Sequence, residues 1–147
     1  MTDAILLAVF SAIVQMESGG KLDARNGDAV GPAQIKPAVV KDLIAWGHAV
    51  ELRDRETLEG SFRIFRLYTD RWVAYRRIKD TPEARANIWR HGPSSKYVLK
   101  ELSSVYSLKV LILVEDANAG RAHPNNRKRP RRKRRVTTNV PNSENLP

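Results

Sequence analysis

The sequence predicts a mainly α-helical domain with a small loop or hairpin region over residues 1–115, and a disordered basic tail over 116–147. Three observations predict it. Apolar residues recur at steps of three and four through most of the first 114 positions, the spacing of one helix face. The stretch 21–36 lacks that spacing and carries the turn-forming pairs Asn26-Gly27 and Gly31-Pro32. After Glu115 the composition turns to Asn, Pro, Gly and basic residues, a mixture that cannot bury a core. With 147 residues, 41% of them hydrophobic, the chain can bury one core and hardly more than one domain.

The first helix is expected from Thr2 to Ser18, with Thr2 as N-cap, Asp3 in the first turn and Gly19-Gly20 as the stop. Its near-complete apolarity implies burial on most sides, with Ser11, Gln15 and Ser18 forming one narrow polar stripe. Pro37 suits the first turn of a second helix that buries Val39, Val40, Leu43 and Ile44 before Gly47 ends it. Residues 48–56 read as a charged connection. Leu58, Phe62, Phe65, Tyr68, Trp72 and Tyr75 then mark a long amphipathic helix, an aromatic stripe whose ordinary role is core packing. Its Tyr68, Trp72 and Tyr75 are also suited to line a groove, since sugar faces pack on aromatic rings. Thr81-Pro82 caps a short helix to about Trp89, which His91-Gly92-Pro93 breaks. Ser94 or Ser95 caps a last helix running through Tyr97, Val98, Leu102, Val105 and Tyr106 into the apolar run 108–114. That run is open to a strand reading as well, because it is rich in β-branched residues.

The chain has no cysteine, which excludes disulfides, thiolate metal sites and a cysteine nucleophile. Its three histidines, His48, His91 and His123, stand without a ligand-spaced partner, so no metal is expected. Charge is unevenly divided. Residues 1–120 hold 17 Lys and Arg against 15 Asp and Glu, whereas 121–147 hold nine against one. The apolar stretch 4–14 is preceded by Asp3 and no basic residue, so it reads as a core helix and not as a signal peptide, and it is too short to span a bilayer. No membrane insertion is expected. A chain of this kind that acts on a target beyond a membrane relies on virion carriage or on another agent of delivery; the sequence assigns neither a compartment nor an oligomeric state.

Glu17 is the residue that carries chemistry. At about 100° per residue it lies off the polar stripe, near the line of Leu6, Phe10 and Ile13, so its carboxyl leaves the helix on an apolar side. Desolvation there favours the protonated form that a general acid needs. Asp23 and Asp28, in the adjoining loop, are candidates for a second carboxyl, although Asp in such a loop more often stabilises its own turn. Two-carboxyl glycosidases set the pair about 5 to 5.5 Å apart for retention or about 6.5 to 9.5 Å for inversion.

Four segments, taken in sequence, resemble the soluble lytic transglycosylase family of goose-type lysozyme-like fold, in the compact form carried by bacteriophages. They are Glu17-Ser18-Gly19-Gly20, then Gly31-Pro32-Ala33-Gln34-Ile35, then Ile88-Trp89-Arg90-His91-Gly92-Pro93, and Ser95-Lys96-Tyr97-Val98. Each is short, and the specificity lies in their combination and order. The resemblance covers residues 1 to about 107. The family has Asn two residues before Gly-Pro where this chain has Arg90, and the tail beyond Gly120 has no counterpart. The resemblance implies cleavage of the β-1,4 bond between N-acetylmuramic acid and N-acetylglucosamine in peptidoglycan glycan strands. Glu17 would act as acid and then base, giving a 1,6-anhydro product without metal or organic cofactor. It further implies that Ser18 orients Glu17, that Gln34 binds substrate near the cleaved bond, that Trp89 and Arg90 border the groove, and that Tyr97 steadies the carboxyl.

Other readings stand beside it. Asp23 or Asp28 would make the chain a hydrolytic muramidase. The basic run within 121–135 suits phosphate neutralisation, which points to nucleic acid or an anionic polymer as partner and to a nucleic-acid-binding or virion structural protein.

Overall fold

The computed structural model describes residues 1–120. Its helices are α1 (Asp3–Ser18), α2 (Pro37–Ala45), α3 (Leu58–Arg76), α4 (Pro82–His91), α5 (Lys96–Leu99) and α6 (Val105–Asn118). A hairpin of β1 (Arg25–Asn26) and β2 (Ala29–Val30) follows α1, and a 3-10 turn (Leu52–Glu56) precedes α3. The expected mainly helical architecture is therefore what forms. The local reasons are the expected ones. Thr2 Oγ1 accepts the Ile5 N–H, Gly19 closes α1 at φ 63°, and Pro37 and Pro82 stand in the first turns of α2 and α4.

The core is built on α1. Val9 and Ile13 are fully buried, joined by Phe10, Val40, Leu43, Ile64, Phe65, Ala86 and Val110. Helices α3, α4 and α6 pack on α1, and the side carrying Leu7, Ser11 and Gln15 is left to solvent. Leu7 is 51% exposed, so α1 is buried on fewer sides than its apolarity predicted. In the hairpin Asn26 pairs with Ala29, which leaves Gly27-Asp28 as a two-residue turn with Gly27 at φ 61°.

The last part of the chain departs from expectation. One continuous helix was expected from Ser94 or Ser95, and the chain instead forms α5, breaks, and starts again at α6. Asn87, 1% exposed, holds the break: its Nδ2 donates to the Leu102 carbonyl at 2.9 Å, and its Oδ1 accepts from Ser104 Oγ at 2.6 Å. Ser104 then caps α6 with Ser107 in a capping box. The run 108–114 is helical, not a strand, and buries Val110 and Val114 at i, i+4. Residues 116–118, assigned to the tail, are the end of α6, where the Ala119 N–H still bonds the Glu115 carbonyl at 2.9 Å. Residues 121–147 of the expected disordered tail, including the basic run within 121–135, lie outside the described residues. Among the described residues no helix is long and apolar enough to cross a membrane.

The connection at 48–56 hides a brace. Arg55, 9% exposed, donates from Nη1 to the carbonyls of Asp28 and Ile35 at 3.2 and 3.1 Å, while its own carbonyl accepts from Ser61 Oγ at 2.9 Å. It thereby ties the hairpin and the following loop to α3. Gly31 sits against it at φ 81°, and a Cβ there would run into the Arg55 carbonyl oxygen. Only glycine fits both the backbone angle and the close approach.

Candidate active site

Glu17 stands in the last turn of α1, just before the chain reverses at Gly19-Gly20. Its side chain is 14% exposed. Two groups reach its carboxylate. The Tyr106 hydroxyl, from the first turn of α6, donates to Oε1 at 2.8 Å, and the Arg90 guanidinium, from the end of α4, lies 3.7 Å from Oε2. Both are complementary to a carboxylate, so the apolar setting expected for Glu17 is only part of its environment. Burial, followed by the charge of Glu17, pushes the Tyr106 phenol far above its ordinary range, so it is a fixed donor at any ordinary pH.

Glu17 also marks the meeting of two depressions. One is a groove of about 210 Å³ bordered by Gln34, Lys36, Tyr68, Trp89 and Arg90. The other is wider, about 690 Å³, and is bordered by Ser18, Lys21, Asp23, Arg25 and Gln34. Glu17 and Gln34 belong to both. A ligand long enough to occupy both would pass beside Glu17 and Gln34.

Gln34 is fixed in an unusual backbone conformation, φ 51°, by the turn that begins at Gly31. Its Nε2 donates to the carbonyls of Gly31 and Ala24 at 2.8 and 3.0 Å. The amide donors thus hold the loop, and the Oε1 acceptor is what remains for a ligand. Trp89 braces the same loop by donating from Nε1 to the Ala33 carbonyl at 3.3 Å, with its ring set edge-on against Phe65, centroids 5.2 Å apart. Of the stripe Tyr68, Trp72 and Tyr75, Tyr68 borders the groove, while Tyr75 is 65% exposed and meets Trp72 edge-on.

Two expected roles are redistributed. Ser18 borders the wider depression but its hydroxyl turns back to the Val14 carbonyl at 3.1 Å, as serine in a helix commonly does, instead of orienting Glu17. Tyr97, expected to steady the carboxyl, packs its ring against His91, tilted by 35° with centroids 4.6 Å apart, and borders a separate cavity with Asn87 and Glu101; the phenol at Glu17 is that of Tyr106. The break held by Asn87 is the reason, because it ends the helix of Tyr97 and lets a second one aim Tyr106 at α1. Arg90 is an ion-pair partner of Glu17 and lies over the Tyr106 ring at 5.6 Å. Asp23 borders the wider depression with Glu17, whereas Asp28 forms the hairpin turn. Burial and the neighbouring Arg90 push the His91 imidazole below its ordinary value.

The residues missed in the sequence are Tyr106 and Arg55. The signal for Tyr106 was the Ser104-x-x-Ser107 box, which marks a helix start two residues before it. Among the described residues no group of three or more His, Asp or Glu side chains is arranged to hold a metal ion. No family model matches the chain, and neither a curated protein nor a solved structure matches it.

Proposed function

We propose that the chain is a lytic transglycosylase of lysozyme-like fold that cleaves the β-1,4 bond between N-acetylmuramic acid and N-acetylglucosamine in peptidoglycan. The observation that carries this reading is the position of Glu17: a hydrogen-bonded, 14% exposed carboxyl where two depressions meet, each of them also bordered by Gln34. A glycan strand is a ligand of that form, with one linkage over the carboxyl and sugars on either side. Tyr68 and Trp89 offer ring surfaces to a sugar face in the narrower groove, and Gln34 Oε1 offers an acceptor to a sugar hydroxyl or amide N–H.

In the proposed reaction protonated Glu17 gives its proton to the glycosidic oxygen as the bond from that oxygen to the muramoyl C1 breaks. The muramoyl 6-hydroxyl then attacks C1 and returns its proton to Glu17, which closes the 1,6-anhydro ring without consuming water. Tyr106 holds the carboxyl in place through both steps. A second reading, hydrolysis by a muramidase, is favoured by Asp23, which shares the wider depression with Glu17 and would activate water there. Incubating the protein with purified sacculi and identifying the released fragments by mass spectrometry separates the two. Anhydro-muropeptides are expected; reducing-end muropeptides would indicate the muramidase, and intact sacculi would overturn both.

A further inference from the structure

Arg90 leaves the end of α4 with its side chain 54% exposed, and its guanidinium stands 3.7 Å from Glu17 Oε2. That is ion-pair range but long for a bond between charged groups, which is about 2.7 to 2.9 Å. Among the described residues the guanidinium donates no hydrogen bond, and it lies over the Tyr106 ring, 5.6 Å from its centroid. Its fork of N–H donors is thus positioned and unfilled. Lys36, also exposed, borders the same groove, so one carboxylate faces two cations there. A neutral glycan would leave that excess positive charge unmatched.

We infer that Arg90 is a specificity-determining residue that selects glycans carrying a carboxylate beside the scissile linkage and grips that carboxylate with its guanidinium fork. The inference rests on the glycan-cleaving reading above. A carboxylate on the sugar itself, such as a free lactyl group, and one on a peptide attached to it present the same chemistry to the fork. Taking it up draws the guanidinium away from Glu17. A neutral chain of the same sugars offers the fork no carboxylate and leaves it beside Glu17.

The test is binding, measured by calorimetry in the Glu17→Gln protein with and without Arg90→Gln. The probes are peptide-free glycan strands with free lactyl carboxyls, the same strands with those carboxyls amidated, and peptide-bearing strands. With Arg90 present, a carboxylate-bearing strand is expected to bind about tenfold tighter than the amidated one, a preference that added salt narrows. Arg90→Gln should bring the ratio close to one, and Arg90→Lys should restore it in part. A preference seen already with peptide-free strands places the recognised carboxylate on the sugar; one seen only with peptide-bearing strands places it on the peptide. Equal binding of all three strands with Arg90 intact, or a preference that survives Arg90→Gln, overturns the inference and leaves the glycan reading standing. Failure of all strands to bind either protein overturns both.

Discussion

Two arginines of α4, Arg85 and Arg90, both face carboxylates and are held in opposite ways. Arg85 is 6% exposed at its side chain, and it meets Asp70 at 2.6 Å, Asp80 at 2.7 Å and Thr69 Oγ1 at 2.8 Å. Arg90 is 54% exposed and meets one carboxylate, at 3.7 Å. A buried guanidinium with its donors filled cannot be withdrawn without breaking all of these bonds at once, so Arg85 is a brace. An exposed guanidinium at long range has little to lose by changing partner, which fits Arg90 to a ligand. The charge types are the same, and burial and the number of bonds decide which pair is structural.

That contrast can be broken or sharpened by substitution. The largest effect is expected at the carboxyl that Arg90 guards: Glu17→Gln should keep the fold and lose about 10²- to 10⁴-fold in the rate of muropeptide release, read beside an unchanged circular dichroism spectrum. Arg85→Ala should do the reverse in kind. It should lower unfolding stability by about 1.5 to 3 kcal/mol in urea titration, because two acids and the Thr69 hydroxyl each lose a charged partner, while Asp80 keeps the N-terminal amine and Asp70 keeps Arg66. Tyr106→Phe removes the 2.8 Å donor to Glu17 and should raise the barrier by about 1.5 to 3 kcal/mol, seen as slower release with melting little changed.

Acid should separate the two regions without mutation. Arg85 holds the Asp80 carboxyl below its usual range. The stability this gives is present above the unfolded carboxyl value, near ~3.9, and is lost as pH falls through the lower folded value. Arg85→Ala should flatten that acid limb of a stability-against-pH curve. The smallest effect is expected at Arg90. Arg90→Gln should change stability by less than about 1 kcal/mol. It should also let the His91 resonance titrate at higher pH, since one of the two influences depressing that imidazole is removed.

Much of the architecture was legible because it is written locally. Thr2, Thr81 and Ser95 announce helix starts through their own side chains, Pro37 and Pro82 fix first turns, and Asn26-Gly27 marks the place of the hairpin, although its two turn residues are Gly27-Asp28. Glu17 at the lip of a buried helix followed from periodicity alone. The partners of Glu17 did not, because Tyr106 lies 89 residues away and its aim depends on a break that buried Asn87 stabilises from another helix. Ser18 and Tyr97 were assigned to Glu17 by proximity in sequence or by motif, and their hydroxyl and ring find nearer partners in Val14 and His91. Arg55 read as one charge in a polar connection, since nothing in its neighbours reveals that it folds inward to bond the Asp28 and Ile35 carbonyls.

The central claim is that the carboxyl of Glu17 cleaves glycan strands, and product analysis tests it most directly. Purified sacculi treated with equal amounts of wild-type and Glu17→Gln protein should yield 1,6-anhydro-muropeptides with the first and essentially none with the second. Equal release by the two proteins, or sacculi left intact by the wild type, would contradict it.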